Sequence, residues 1–198
     1  MLKYLINKLS TDLYVQIWEN RIKVTDIRTC KVFDEAPLLA TRTEKGGRKV
    51  VVAVGDEVNK IPSNENIEIT NPFSHPRALL NDFFVAEKLL QYIVRTLLGK
   101  KWISPSPRVV IHPMEKDEGG LTMIERKAFR ELALGAGAHK VVLYQGRALS
   151  TALFDFEKIK KENEEPTSHQ IESSNENVLS IVIIVVLLLV MFWFSGAK

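Results

Sequence analysis

The chain has 198 residues, of which 45% are apolar and 26% charged, with a net charge of +3. This is the make-up of an ordinary globular domain with enough chain for a core, and it excludes a fibrous or wholly disordered protein. So small a charge, with no basic stripe interleaved with aromatics, argues against nucleic acid as a partner, and the single cysteine, Cys30, excludes an internal disulfide framework and fits a reducing compartment.

Leu2, Leu5, Ile6 and Leu9 fall at the spacing of one helix face, with Lys3, Asn7 and Lys8 elsewhere. A short amphipathic helix over residues 1–10 suits either a membrane interface or a berth on its own domain. The stretch lacks the apolar run and cleavage site of a secretory signal, so the folded part is expected to stay in the cytoplasm. "DLYVQIW" and "RIKVTDI" then alternate, setting Leu13, Val15 and Ile17, and Ile22, Val24 and Ile27, toward one side. Glu19-Asn20 between them suits a tight turn, so a hairpin is predicted. "APLLAT" reads as a short strand, Gly46-Gly47 as a turn, and "VVVAVG" as a buried strand closed by Gly55. "SNENIEITNPFSHP" reads as an irregular loop.

Asp82 to Gly99 is predicted to be a helix, capped by Asp82 or Asn81 and ended by Gly99, with Ala86, Leu90, Ile93 and Leu97 inward. Arg108 to Ile111 is a strand flanked by prolines. The acidic cluster Glu115, Asp117 and Glu118 reads as a solvated loop. Thr122 and Glu125 have the spacing of a capping box. Ile124, Ala128 and Leu132 continue one face of the helix that follows, and Gly135 or Gly137 ends it. His139 to Gly146 is a second buried strand, and "RALSTALFDF" a last helix. Strands mixed with helices in this order predict an α/β domain over residues 11–155.

Residues 156–177 are polar and charged, too poor in apolar surface to order themselves, and read as a tether. Val178 to Phe194, "VLSIVIIVVLLLVMFWF", holds no charge, proline or glycine. As a helix it would rise roughly 25 Å, the short end of what crosses a bilayer. Trp193 lies at its far end, where an aromatic belt residue is expected. A single transmembrane helix is therefore expected, with Lys158, Lys160 and Lys161 on the inner side and the main domain at the cytoplasmic membrane. His75, His112, His139 and His169 show no ligand spacing with one another or with Cys30, and the glycine pairs lack a Walker context. No metal, cofactor or small-molecule substrate is expected.

Several segments carry a resemblance. "KVVVAVGDEV", "NDFFVAEKLLQYIV", "SPSPRVVIHP", "IERKAFRELALGAGAHKVVLY" and "RALSTAL" follow the order and spacing of the rod shape-determining MreB proteins, the bacterial actins. The resemblance covers about residues 1–153. It implies a ribonuclease-H-like α/β fold truncated to subdomains IA and IB, the first half of an actin fold. It also implies an N-terminal membrane helix, which turns Leu2, Leu5, Ile6 and Leu9 toward lipid.

The family binds nucleotide between two phosphate loops. The first is an Asp-x-Gly-Thr turn, whose glycine lets backbone N–H groups reach phosphate and whose Asp helps hold the metal shell. Here Gln16 stands where that Asp would be, and Ile17, Trp18 and Glu19 fill the rest, without glycine. The family's Glu-Glu-Pro, which positions the attacking water, is replaced by Gln145, Gly146 and Arg147; a neutral amide is no general base. No second half follows residue 153. These departures imply no enzymatic activity. The expectation is a membrane-anchored pseudo-actin acting by protein contact in cell-shape control, with a full-length MreB filament or itself as partner. A nucleotide-binding subunit completed by another chain, or an adaptor for a membrane assembly machine, are the alternatives. Loss of the second half would bare a face of IA, which Leu149, Leu153, Phe154 and Phe156 would partly cover.

Overall fold

The structure, a computed structural model, describes residues 11–62, 66–99 and 106–163. Alternation builds its first layer. β1 (Asp12–Ile17) and β2 (Ile22–Asp26) form the expected hairpin, antiparallel, with Ile17 opposite Ile22. β3 (Val32–Glu35) continues the meander beside β2. The turn between β2 and β3 is held by the Asp26 carboxylate, which accepts the Arg28 and Thr29 N–H groups and the Thr29 hydroxyl.

The next segment forms a separate antiparallel sheet. β4 (Leu39–Thr43) lies between β5 (Lys49–Val54) and β6 (Ile67–Thr70). Gly55 ends β5 at φ 67°, and a Cβ added there would stand 1.9 Å from the Glu35 carboxylate. The left-handed φ favours glycine, and a side chain there would also have to push the Glu35 carboxylate aside. α1 (Phe83–Leu98) follows, its first turn capped by the Asp82 carboxylate on the Val85 N–H at 3.0 Å, and it stops at Gly99 (φ 69°). The chain then returns to the first sheet. β7 (Arg108–Pro113) lies parallel beside β1, and after α2 (Met123–Gly135) β8 (Lys140–Leu143) lies parallel beside β7. The order is β3-β2-β1-β7-β8. Parallel pairing needs a crossover, which α1 and α2 supply. The Thr122–Glu125 capping box of α2 is present, with both reciprocal bonds formed.

Side chains alternate across a strand, so β1 faces two ways. Leu13, Val15 and Ile17 join Val109 and Ile111 beneath Leu89, Leu90 and Ile93 of α1 and Phe129 and Leu132 of α2. Tyr14 joins Val110 and Val142 on the opposite face, under Phe156 and Ile159 of α3 (Phe156–Asn163). Arg108 fixes α3 from the sheet side. Its guanidinium forks onto Asp12 at 2.6 and 2.8 Å, reaches Glu157 at 2.8 Å, and lies 4.6 Å over the Phe156 ring. Burial opposes the Arg108 charge, but the two carboxylates outweigh it and leave the group more basic than usual.

Several expectations are corrected. Ile27 packs on the α3 face, not with Ile22 and Val24, because an odd step along the chain turns the side chain over. β5 is an edge strand, half exposed rather than buried. β6 lies within the segment expected to be a loop. On α2 the buried set is Phe129, Leu132 and Ala133, whereas Ile124 is 82% exposed. "RALSTALFDF" is no continuous helix: Thr151–Leu153 make one 3-10 turn, Leu153 is exposed, and α3 starts at Phe156, inside the stretch assigned to the tether. Residues 1–10, the rest of that stretch and the apolar run 178–194 lie outside the described residues. Among the described residues no helix is long and apolar enough to cross a membrane.

Docking of α3 makes a direct test. Phe156→Ala should lower the unfolding free energy by about 3 kcal/mol, and Leu153→Ala by less than about 0.5 kcal/mol, both read by urea denaturation of the full chain.

Candidate functional site

In an open α/β sheet, ligands meet the loops beyond the carboxyl ends of the parallel strands. Here β1, β7 and β8 end at Ile17, Pro113 and Leu143. The register sets Ile17 beside Pro113 and Ile111 beside Leu143, so three connections gather along one edge. They hold both groups of residues singled out from the sequence.

Gln16 and Ile17 part company at once. Ile17 is buried toward α1, while Gln16 turns to the opposite face, 7% exposed, beside its register partner His112. The Gln16 amide is neutral and points at the Met114 sulfur, 3.8 Å away. Trp18 opens a tight turn, its N–H donating to the Arg21 carbonyl at 2.8 Å. Arg21 stacks 5.2 Å over the Trp18 ring and forks onto Asp34 at 2.6 Å, which holds the Asp34 carboxyl below its ordinary range.

Glu19 is the knot of the edge. Its backbone N–H donates to the Glu115 carboxylate at 2.7 Å, and its carbonyl accepts from the Asn71 amide at 2.8 Å. Its carboxylate receives the Lys116 ammonium at 2.9 Å, and that ammonium also reaches the His75 carbonyl. Lys116 stands at φ 57°, a left-handed conformation that costs a non-glycine residue roughly 1 kcal/mol. Its two ammonium contacts hold it there. A turn after a strand attracts anions through unengaged backbone N–H groups. At Glu19 that N–H already carries a carboxylate of the chain itself. Two carboxylates, Glu19 and Glu115, share this corner with one ammonium, so its local charge disfavours a further anion.

The second group is also engaged. The Gln145 side-chain amide oxygen Oε1 accepts from Arg126 of α2 at 2.7 Å. The Gly146 carbonyl faces the His112 ring, whose Nε2 is 3.1 Å away. A Cβ on Gly146 would approach the Tyr144 hydroxyl to 3.0 Å. His112, expected as a plain strand-end residue, is 1% exposed, and its Nδ1 lies 2.7 Å from the Tyr14 hydroxyl. Sequence reasoning missed Asn71, Glu115 and Lys116. Glu115 and Lys116 follow the end of β7 almost directly, and that position was the available signal. Among the described residues no group of three or more His, Cys, Asp or Glu could hold a metal ion. Leu2, Leu5, Ile6, Leu9 and Trp193, the expected membrane contacts, lie outside the described residues.

The Glu19 knot is testable by substitution. Glu115→Ala should cost about 1.5 kcal/mol of stability and speed amide exchange at Glu19, while Glu118→Ala in the same loop should do neither. Chemical denaturation and amide exchange would check both.

Comparison with known proteins follows this geometry. Residues 12–153 match a family model described as MreB/Mbl protein. Over 115 residues the chain is 34% identical to the cell shape-determining protein MreB of Pasteurella multocida, covering 58% of this chain and 32% of that protein. Over 149 residues it is 32% identical to MreB of Escherichia coli K12, covering 73% of this chain and 41% of that one. The fold is similar to MreB5 of Spiroplasma citri, solved with ADP, with a TM-score of 0.52 at 18% identity over 69% of this chain and 38% of that chain. The chain thus spans between 32% and 41% of the length of these MreB relatives. Residues 154–198 lie beyond the family match.

Proposed function

The chain belongs to the MreB/Mbl family of cell shape-determining proteins, and on that premise we propose that it is a non-catalytic member acting by protein–protein contact at the cytoplasmic membrane. The observation that carries the reading is the filled corner at Glu19. The N–H that would meet a phosphate is bonded to Glu115, and the corner sets two carboxylates, Glu19 and Glu115, against the single ammonium of Lys116. Gln16 offers no carboxylate for a metal shell. Gln145 cannot serve as a general base, and its side-chain amide oxygen is occupied by Arg126.

The membrane part of the proposal rests on two sequence features. Val178 to Phe194 would serve as a single-pass anchor, and Leu2, Leu5, Ile6 and Leu9 as an interfacial helix that sets orientation. A tether shortened by α3 would run from about residue 164 to 177. Taken as a coil, those fourteen residues would have a root-mean-square reach of roughly 20 Å. So short a reach keeps the domain beside the bilayer and raises its effective concentration near any filament lying there. The partner under this reading is a filament of full-length MreB, or a second copy of this chain.

Two measurements separate this from a nucleotide-binding subunit completed by another chain. Titration of magnesium-ATP into the full chain in detergent should give no saturable heat and no phosphate release; saturable binding would favour the other subunit reading. Co-sedimentation with MreB filaments from the same cell should carry the chain into the pellet or reduce pelletable filament with dose. A chain left in the supernatant with filament mass unchanged would overturn the filament partnership.

A further inference from the structure

The connection from β8 to α3 is held to the sheet by a buried polar chain that the proposed function does not use. The Leu149 N–H donates to the Tyr14 hydroxyl oxygen at 3.1 Å. The hydroxyl's own proton is then directed to His112 Nδ1 at 2.7 Å. Nδ1 is therefore an acceptor, the ring proton sits on Nε2, and it donates to the Gly146 carbonyl at 3.1 Å. Every donor and acceptor in the chain is used, and His112 is neutral. Tyr14 and His112 are each 1% exposed. Burial keeps the Tyr14 hydroxyl above its ordinary value, so it stays protonated.

A second proton would break this arrangement. Nδ1–H and the Tyr14 O–H would then both point along one contact. The hydroxyl oxygen already takes the Leu149 N–H, so its proton would have to turn into apolar surroundings. The new charge would also be buried. The titratable groups facing His112 are Tyr14 from β1, Tyr144 after β8 and Asp117 from the loop after β7; Gln16, its register partner, is neutral. Among the described residues no carboxylate bonds the ring. Gly146 is exposed, so the Nε2 side of the ring lies nearest water.

What the clasp holds is specific. Gly146 and Leu149 lie in the connection, Phe154 packs 5.8 Å from the Tyr14 ring, and Phe156 and Ile159 complete the cover over Val110 and Val142. The opposite face, under α1 and α2, shares none of these groups.

We propose that Tyr14, His112 and Gly146 form a proton-operated clasp, in which a proton on His112 releases residues 144–163 from the sheet while the α1–α2 face stays folded. Burial holds His112 below the ordinary imidazole value of 6.5, partly offset by the Gly146 carbonyl and Asp117. Once the segment is released, the His112 ring on β7 meets water and regains its ordinary affinity. The released state therefore binds more protons, so the clasp is at full strength above pH 6.5 and weakens as pH falls below it. The weakening approaches tenfold per pH unit until the clasped ring itself titrates. The Arg108 contact to Glu157, at the other end of the strands, opposes this release and is lost with it.

The test is hydrogen–deuterium exchange of the full chain at about pH 7.5 and about pH 5.5, corrected for the intrinsic effect of pH on exchange. Peptides spanning 147–163 should exchange roughly tenfold faster at the lower pH, and peptides of α1 should not change. His112→Gln should abolish that dependence. Tyr14→Phe keeps the ring packing but loses both bonds, so it should exchange fast across 147–163 at either pH; it carries the test if the His112 variant misfolds. Protection in 147–163 that ignores pH, loss in step with α1, or unchanged pH dependence in His112→Gln would each overturn the clasp.

Discussion

Two-sided burial of the central strands β1 and β7 sets the terms for the rest of the domain. Each alternates an aliphatic set toward α1 and α2 with a second set, Tyr14 and Val110, toward α3. A strand covered on both faces needs two different covers, and the chain supplies them from successive later stretches. α1 and α2 come with the crossovers that parallel pairing demands. α3 comes last and is small, with Phe156 and Ile159 as its buried residues. It holds because Arg108 meets Glu157 and stacks on Phe156, and because Tyr14 and His112 bind the segment leading into it.

The same constraint explains the character of the site edge. Residues at the carboxyl ends of β1 and β7 are positioned by the sheet, and their side chains inherit its alternation. Gln16 therefore cannot act together with Ile17, although they are neighbours in sequence. Glu19, one step beyond Trp18, is met by groups from three separate stretches: Asn71, Glu115 and Lys116, and through that lysine His75. At this edge the Glu19 N–H and carbonyl and the Lys116 ammonium are all engaged within the chain itself.

Much of this was legible in the residues. The hairpin, α1 with its Asp82 cap and Gly99 stop, the capping box of α2 and the two parallel strands all follow from local pattern. What was not legible depends on partners distant in the chain. β3 and β6 are four residues each, too short to show a period, and become strands by pairing with β2 and β4. Ile124 is on the same helical spacing as Leu132, but it lies in the first turn of α2 and stays exposed. "FEKIKKEN" has only two large apolar residues and reads as solvated; its helix is stabilised by Arg108, 49 positions earlier. Glu115 looked like one of several loop carboxylates until Glu19, 96 positions away, gave it a donor.

The placement of α3 also decides how the domain would respond to mechanical load. The chain runs on beyond Asn163, so tension applied from that direction enters at α3. The contacts there are few and arranged in series: Ile159, then Phe156 with the Arg108–Glu157 pair, then Phe154, Leu149 and Gly146. Contacts in series yield one at a time, as in peeling. The hydrogen-bonded ladder of β1 with β7 is loaded only after that sequence is exhausted. Under load from that end, α3 and its connection would come away before the pairing of β1 with β7 is strained.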